Sequence, residues 1–536
     1  MPELSSVDRS SNPPRVDFPR QYNAAYDLIE RNLQAGRADK IAFIDDAGSY
    51  SYGELAKRAN RFANAITALG VQPEQRVLLC MVDTIDWPVA FLGSILAGVI
   101  PVAVNTLLTT DDYEYMLRDS RARALLVSDV MWPKLEPLMG KIPALQHVIL
   151  SGQMAGNSVV PRLGFSKLLA SASEQFTPAE TSPDEACFWL YSSGSTGAPK
   201  GTVHIHSSLI NTAELFAGPV IGLREDDLVF SAAKLFFAYG LGNGLTFPMA
   251  VGATALLMAE RAIPDAVFKR LREQQPTIFY GVPTLFASLL ASPALPARGE
   301  LRMRLCTSAG EALPADIGKR WTEHFGVEIL DGIGSTEMLH VFLSNRAGQV
   351  RYGTTGQPIP GYDLRVVDDQ GHLLPVGEVG ELQIRGATAA MAYWNNREKS
   401  RETFQGPWTR SGDKYSVDAD GYYTYSGRSD DMLKVGGVYV SPIEVESALI
   451  THPAVLEAAV IGRADEAMLV KPQAFVVLNS GFAATDALAS ELQQYVKSKL
   501  APYKYPRWIE FIDELPKTAT GKIQRFRLRA RSAGAQ

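Results

Sequence analysis

Cysteine is scarce: Cys80, Cys187 and Cys306 stand far apart in apolar or strand-like runs, which excludes a disulfide framework and implies a reducing compartment. Excess positive charge is lacking too. The 52 Lys and Arg residues fall short of the 58 Asp and Glu, the net charge is -6, and no basic run is interleaved with aromatics, so nucleic acid is not expected as a partner. The one basic cluster, residues 525–531, reads as a solvated last helix or tail. Long apolar runs are missing as well. The most apolar stretch, residues 89–104, is interrupted by Ser94 and Pro101 and falls short of the about 18 residues that a membrane span needs, so it divides into a helix and a strand and no membrane partner is expected. Residues 1–20 are polar with no apolar h-region, and residues 533–536 (Ala-Gly-Ala-Gln) are no peroxisomal address, so the expected location is the cytoplasm.

What is present is globular in character, with 46% hydrophobic and 21% charged residues over 536 positions, enough for several subdomains. No internal repeat is visible. Residues 191–201 (Tyr-Ser-Ser-Gly-Ser-Thr-Gly-Ala-Pro-Lys-Gly) combine glycines, hydroxyls and one lysine. Gly194, Gly197 and Gly201 let the backbone turn N–H groups toward an anion, Ser192, Ser193, Ser195 and Thr196 add donors, and Lys200 adds a point charge. Pro199 and Gly201 stand where a Walker-type loop needs glycine and Ser or Thr, so that motif fails. A flexible linker is the bland alternative, but the apolar run 187–191 leads straight into the loop like a buried strand feeding a turn.

The spacing on either side alternates. Ser51 and Glu54 form a capping box ahead of Leu55, Ala59, Phe62, Ile66 and Leu69 on one helical face, with Gly70 as the stop. Strands at 77–81, 99–104 and 124–127 are separated by helices at 87–96 and 111–118. After the loop come strands at 253–258, 277–280, 304–307 and 327–331, separated by helices at 265–274, 283–290 and 314–325. Such alternation predicts parallel pairing and a layered α/β fold whose ligands bind beyond the strands' C-terminal ends. Residues 308–311 and 331–337 fall there with the glycine-rich loop. From about 341 to 425 short strands and frequent turns predict a small β-rich subdomain. Near residue 430 a small α+β unit begins, with a second capping box at Ser441 and Glu444, Pro442 at its first turn, strands at 458–461 and 474–478, and a helix carrying Leu488, Leu492, Val496 and Leu500 on one face.

Five stretches in order, residues 191–201, 331–337, 409–413 (Thr-Arg-Ser-Gly-Asp), 427–431 (Gly-Arg-Ser-Asp-Asp) and 516–522 (Pro-Lys-Thr-Ala-Thr-Gly-Lys), resemble the signatures of the adenylate-forming superfamily of acyl-CoA synthetases, peptide-synthetase adenylation domains and luciferases. The resemblance spans nearly the whole chain. It implies a large N-terminal domain (1–429, α/β to about 340 and β-rich over about 341–425) and a small mobile C-terminal domain (430–536) with its hinge at Asp430. It further implies ATP, Mg2+ and coenzyme A. Ser192, Thr196 and Lys200 would hold the β,γ-phosphates, with Thr196 and Glu337 binding Mg2+ directly or through water, since a hard oxygen donor and a bridging metal suit a pyrophosphate leaving group. Gly310, Glu311, Ala312, Asp331, Gly332 and Ile333 would flank adenine, Ser335 and Thr336 complete the nucleotide site, and Asp413 and Arg428 would take the ribose. Lys522 would bridge the attacking carboxylate and the α-phosphate, a stabilisation of the transition state. Rotation at Asp430 would then replace Lys522 by the loop of Lys434, Gly436 and Gly437, part of a pantetheine tunnel. Acetylation of Lys522 by a lysine acetyltransferase, reversed by a deacetylase, would remove the charge that the first step uses. A homodimer is a further expectation.

Phe237 stands where many acyl-CoA relatives carry histidine and amino-acid-activating relatives carry aspartate, which disfavours an amino acid. Phe236, Ala238, Tyr239, Gly240, Ile333, Gly334 and His340 are expected to enclose a flat one-ring acid, the alternative for any one of them being ordinary core. The phrases 235–240 and 335–340 look most like the benzoate–CoA ligase subgroup and its hydroxybenzoate relatives, which implies a small aromatic carboxylate. The alternatives are another aryl acid, a short or medium fatty acid, transfer to a carrier protein, and an inactive acyl-adenylate-binding regulatory relative. Tyr352 departs from the superfamily's usual Arg-Pro-Gly in a connecting loop. His204 and His206 have an H-x-H spacing without a further ligand, so no zinc site is expected.

Overall fold

The structure is a computed structural model that describes residues 2–153, 161–192, 198–428, 431–435, 438–465, 469–517 and 523–534. Two large sheets face each other across a shared helical layer. The eight-stranded sheet runs Ala392–Tyr393, Lys200–Ile205, Ala186–Ser192, Ile100–Ala103, Arg76–Cys80, Ala124–Ser128, His147–Ser151, Leu163–Gly164. The nine-stranded sheet runs Gln357–Pro358, Val341–Ser344, Ile329–Gly334, Leu305–Ser308, Ile278–Gly281, Leu228–Ser231, Thr254–Leu256, Ile41–Asp45, Gly48–Ser51. Their central strands pair in parallel, as the alternating pattern predicts.

Period-two alternation divides the core. In the eight-stranded sheet Val77, Leu79, Ala124 and Leu126 point to the inner core, together with Val229, Ala255, Ile278 and Leu305 of the other sheet. The helices Ala24–Gln34, Tyr52–Ala68 and Asp86–Leu96 fill that space. Leu78, Cys80, Leu125 and Val127 turn outward onto the helix Thr110–Ser120, and Phe230, Phe279 and Cys306 of the second sheet turn outward onto Pro264–Gln274, Pro283–Ala291 and Ala315–Phe325. The capping box at Ser51 is formed in both directions, and Gly70 stands at φ +82 just past the helix end.

Four expectations change. The strand foreseen at 327–331 continues to Gly334, because Val341–Ser344 pairs antiparallel with it and supplies ladder bonds to glycine-rich residues that read as a loop. Residues 341–344 and 357–358, read with the β-rich unit, therefore belong to the nine-stranded sheet, and the β-rich sheet is built from Asp363–Val367, Gly380–Arg385, Trp408–Val417, Phe404–Gln405 and Tyr423–Arg428. Residues 238–240 open the helix Ala238–Leu241, which passes into a π-helical stretch at Gly242–Thr246. The second capping box is half formed: the Ser441 hydroxyl accepts from the Glu444 N–H at 3.2 Å, while the Glu444 carboxylate takes Lys504 at 2.6 Å instead. The basic cluster at 525–531, read as a solvated last helix or tail, is a last helix but is not solvated throughout. It lies in the helix Arg525–Gly534, where Arg525 is buried on Glu446 at 2.7 Å, Arg529 pairs with Asp431, and Arg531 reaches Glu510 at 2.7 Å. Burial of both partners requires that pairing, since an unpaired charge inside is far more costly. The C-terminal unit itself is a three-stranded sheet, Val455–Ala464, Val470–Leu478 and Trp508–Phe511, packed on the helices Pro442–Ile450 and Asp486–Lys499.

Candidate active site

The strand Ala186–Ser192 and its antiparallel partner Lys200–Ile205 form the two walls of the glycine-rich turn, with Ser192 opposite Lys200 in the register. Ser193, Gly194, Ser195, Thr196 and Gly197 lie outside the described residues. Ser192 is buried, and its hydroxyl has no partner among the described residues. The Lys200 ammonium sits 4.5 Å from the centroid of the Tyr393 ring and 3.5 Å from its hydroxyl, and that hydroxyl donates to Glu337 Oε1 at 2.7 Å. Burial lowers the Lys200 pKa and the Glu337 carboxylate pushes it back up. Tyr393 thus joins two residues that were read independently. Its strand, Ala392–Tyr393, is held against Thr202 and Val203, so backbone register sets this contact. No pattern in the sequence around Tyr393 marks it.

Asp331, Gly332, Ile333 and Gly334 form the end of one strand of the nine-stranded sheet, beside Ser308 on the neighbouring strand. Asp331 is buried; one oxygen accepts from the Leu313 N–H at 3.3 Å, the other has no partner among the described residues, and burial raises its pKa strongly. Gly310 adopts φ +99 between Ser308 and the partly exposed Glu311 and Ala312, a conformation that favours glycine, and a side chain there would meet open space. Ser335 caps the short turn Thr336–Met338, its hydroxyl accepting from the Met338 N–H at 3.2 Å. His204 Nε2 bonds the Thr336 carbonyl at 2.8 Å and His206 Nδ1 accepts from the Ala24 N–H at 3.1 Å. Burial lowers their pKa values to about 4 and about 3, so both are neutral structural groups at neutral pH, and among the described residues no cluster of three or more His, Cys, Asp or Glu side chains is placed to hold a metal.

Asp413 and Arg428 are direct register partners on adjacent antiparallel strands, with Arg428 Nη1 3.2 Å from the Asp413 carboxylate and from the Ser411 carbonyl. Arg428 also lies near enough to lower the Lys200 pKa, and Asp331 near enough to act on the Tyr239 phenol. The residues expected to serve phosphate and ribose therefore influence one another, as do those expected to serve adenine and acid.

The acid-facing wall is aromatic. His340 is 2% exposed, packed between Phe247 at 4.5 Å, Phe216 at 5.3 Å and Tyr239 at 5.5 Å between centroids. Its Nε2 meets the Tyr239 carbonyl at 3.3 Å, and burial lowers its pKa to about 3. Phe236 is buried edge-on to Phe237 at 4.5 Å, while Ala238, Tyr239 and Ile333 are partly exposed. The glycines fit these neighbours: a Cβ at Gly240 would lie 2.0 Å from the Lys234 carbonyl oxygen, and one at Gly334 2.4 Å from the His340 carbonyl oxygen. Phe216 and Phe247, unsuspected from sequence, back the histidine from a helical run at 207–221 and from Phe247–Val251.

In the C-terminal unit Lys434 is placed by its backbone in the strand Leu433–Val435, and Asp430, Gly436, Gly437 and Lys522 lie outside the described residues. The stem on either side of 518–522 is a β-bridge between Lys517 and Ile523, with the Gln524 N–H donating to the Pro516 carbonyl at 2.7 Å.

The family model of an AMP-binding enzyme matches residues 29–394, and that of the AMP-binding enzyme C-terminal domain matches residues 444–522. The chain is 64% identical over 529 residues to a benzoate–CoA ligase of Thauera aromatica, covering 98% of this chain and 99% of the relative. It is 50% identical over 519 residues to a 4-hydroxybenzoate–CoA/benzoate–CoA ligase of Rhodopseudomonas palustris, covering 96% and 95%. Among solved structures, a benzoate CoA ligase from Burkholderia xenovorans LB400 shares 57% identity at a TM-score of 0.89 over 95% of this chain and 100% of that one. An anthranilate CoA ligase in complex with anthranoyl-AMP shares 45% identity at a TM-score of 0.93 over 97% and 99%. Two family models matched in sequence order, together with full-length identity well above 30%, establish that the chain belongs to the AMP-binding enzymes, the adenylate-forming superfamily that its five motifs resemble.

Proposed function

We propose that the protein is an ATP-dependent benzoate–CoA ligase. Benzoate and ATP give benzoyl-AMP and pyrophosphate, and benzoyl-AMP and coenzyme A then give benzoyl-CoA and AMP. The observation that carries this reading is the aromatic wall of Phe236, Tyr239 and His340, which offers a one-ring acid flat contacts and no carboxylate for an α-ammonium. The identity with the Thauera enzyme along almost the whole chain supports it.

In the first half-reaction a benzoate oxygen attacks the α-phosphorus and the bond to pyrophosphate breaks. Both reactants are anionic, so neutralising charge is the first task. Lys200 meets the β,γ-phosphates, and Lys522 meets the oxygens gathering charge at the α-phosphorus. Asp413 accepts the ribose hydroxyls, held in place by Arg428. Glu337, an oxygen donor fixed by the Tyr393 hydroxyl beside Lys200, suits a hard cation, and with Thr196 it would hold Mg2+, which supplies charge neutralisation for the pyrophosphate leaving group. In the second half-reaction the thiol sulfur of coenzyme A attacks the acyl carbonyl carbon, the thiol proton is lost, and the carbon–oxygen bond to AMP breaks. Rotation about Asp430 exchanges Lys522 for the segment of Lys434, Gly436 and Gly437 between the two steps.

Pyrophosphate release over a panel of aromatic and aliphatic acids with coenzyme A tests the reading. Benzoate should be turned over with the highest kcat/KM. Turnover of alkyl acids alone, or of no benzoate, would overturn it.

A further inference from the structure

We propose that the inner end of the acyl pocket carries a polar subsite, formed by the Asn243 amide and the Tyr280 hydroxyl beside Tyr239, which receives a ring-borne hydroxyl. The inference rests on the acyl-pocket reading above and extends it to the class of ring substituent admitted.

Asn243 follows Tyr239 by four residues in one continuous helical run, Ala238–Leu241 into Gly242–Thr246, so the two side chains share a face. The run widens into π-helical geometry at Asn243, a distortion that recurs at functional sites. Asn243 is 0% exposed, and among the described residues neither its amide nitrogen nor its amide oxygen has a hydrogen-bond partner in good geometry. The amide approaches the Tyr239 phenol closely enough to lower its pKa through a hydrogen-bond contact, but the well-formed bond of that hydroxyl goes to Thr307 Oγ1 at 2.5 Å. Tyr280 completes the group. It is the register partner of Thr307 on the adjacent parallel strand, its ring stands edge-on to Tyr239 at 6.4 Å, it is 0% exposed, and its hydroxyl has no partner among the described residues.

Three buried polar atoms without a well-formed partner among the described residues thus surround one pocket tyrosine. Native cores satisfy nearly all such groups, and a half-satisfied polar cluster is worse than an apolar one. The chemistry of the atoms selects the ligand. An amide presents a donor and an acceptor, and a tyrosine hydroxyl can serve as either, so the complement is a neutral group that also does both. A hydroxyl meets that demand. A second carboxylate would bury an uncompensated charge, and a methyl group would leave the amide unpaired while filling the same space.

Steady-state kcat/KM for benzoate, the hydroxybenzoates and the near-isosteric methylbenzoates, measured on the wild type, Tyr280→Phe and Asn243→Leu, tests the subsite. At the ring position that reaches it, the wild type should prefer hydroxyl to methyl by about ten-fold or more. That preference should shrink in Tyr280→Phe and collapse to within about two-fold in Asn243→Leu. Tyr280→Phe removes a single oxygen and keeps the ring, so the proposal stays open to refutation if the asparagine variant does not fold. Equal use of hydroxyl and methyl acids by the wild type, or a preference unchanged in the folded variants, would overturn the subsite and leave the ligase reading intact. Absence of turnover with every benzoate would overturn both.

Discussion

Replacing Tyr393 by phenylalanine tests whether the phosphate end of the site works as a connected unit. The hydroxyl donates to Glu337 at 2.7 Å, and burial with the neighbouring carboxylate raises the phenol pKa well above its ordinary value, so it is a donor at every working pH. Phenylalanine keeps the ring 4.5 Å from the Lys200 ammonium and deletes the bond to Glu337 together with the long 3.5 Å contact from Lys200. A hydrogen bond to a charged group contributes about 1.5–3 kcal/mol. If the orientation it gives Glu337 is used fully in the adenylation transition state, the first half-reaction should slow by about ten- to a hundred-fold. The assay is benzoate-dependent pyrophosphate release, with the apparent Mg2+ requirement titrated alongside. Thioester formation from supplied benzoyl-AMP and coenzyme A, which forms no pyrophosphate, should stay near the wild-type rate. Pyrophosphate release within about two-fold of wild type, or equal losses in both half-reactions, would refute the reasoning.

Lys522→Ala should stop benzoyl-AMP formation and spare thioester formation from supplied benzoyl-AMP; equal loss of the two would count against its role. In Gly334→Ala the new Cβ would sit 2.4 Å from the His340 carbonyl oxygen and 2.7 Å from the Val341 nitrogen, backbone atoms that cannot swing away. Its thermal midpoint should fall by the equivalent of about 1–3 kcal/mol and benzoate turnover with it. Arg525→Gln leaves Glu446 buried beside a neutral group, so urea unfolding of the C-terminal unit should shift by about 3–5 kcal/mol, and an unchanged midpoint would mean that the pair is solvated. The pH dependence of stability has a definite sign. His204, His206 and His340 have folded pKa values of about 4, about 3 and about 3, below the ordinary value, so the unfolded chain binds their protons first and this stability is lost as pH falls through 6.5. Asp83, raised to about 6 by burial, runs the other way between pH 4 and 6, and burial raises Asp331 in the same sense. Each of the three histidines contributes a slope of up to about 1.4 kcal/mol per unit, with stability lost from pH 6 to pH 5. His206→Asn should flatten that slope, as read from urea melts at both pH values.

The alternation of helices and strands was legible because each element obeys its own period and each helix carries its punctuation, as at Ser51 and Gly70. Legibility failed where a residue's conformation is set by a distant neighbour. Residues 331–334 hold two glycines and an aspartate and read as a loop, yet Val341–Ser344 turns them into a strand. Glycines such as Gly240 and Gly242 ordinarily disfavour a helix interior. These two nonetheless stand in a helical run, and the space a Cβ would need is taken by the Lys234 carbonyl and by the His340 ring. The arginines at 525–531 read as solvated because a charge run usually is, and the carboxylates that pair with Arg525 and Arg529 lie about 80 and about 100 residues away in sequence.

The site divides along the same line. Its charged members could be named one at a time, because joining two anions demands cations, hydroxyls and a metal-suited carboxylate, and few residue types supply them. Asp413 and Arg428 were read as separate contacts to one sugar, and their pairing across a strand register turns the arginine into the group that orients the carboxylate. Tyr393, Phe216, Asn243 and Tyr280 could not be named, since each is an uncharged residue inside a regular element where packing is the ordinary explanation. What distinguishes them is relational: a hydroxyl shared between Glu337 and Lys200, a ring against His340, an amide and a phenol without a well-formed partner among the described residues. Charge therefore announces the reaction type in the sequence, while the neutral contacts that decide which acid is accepted become visible only when the sheet register brings them together.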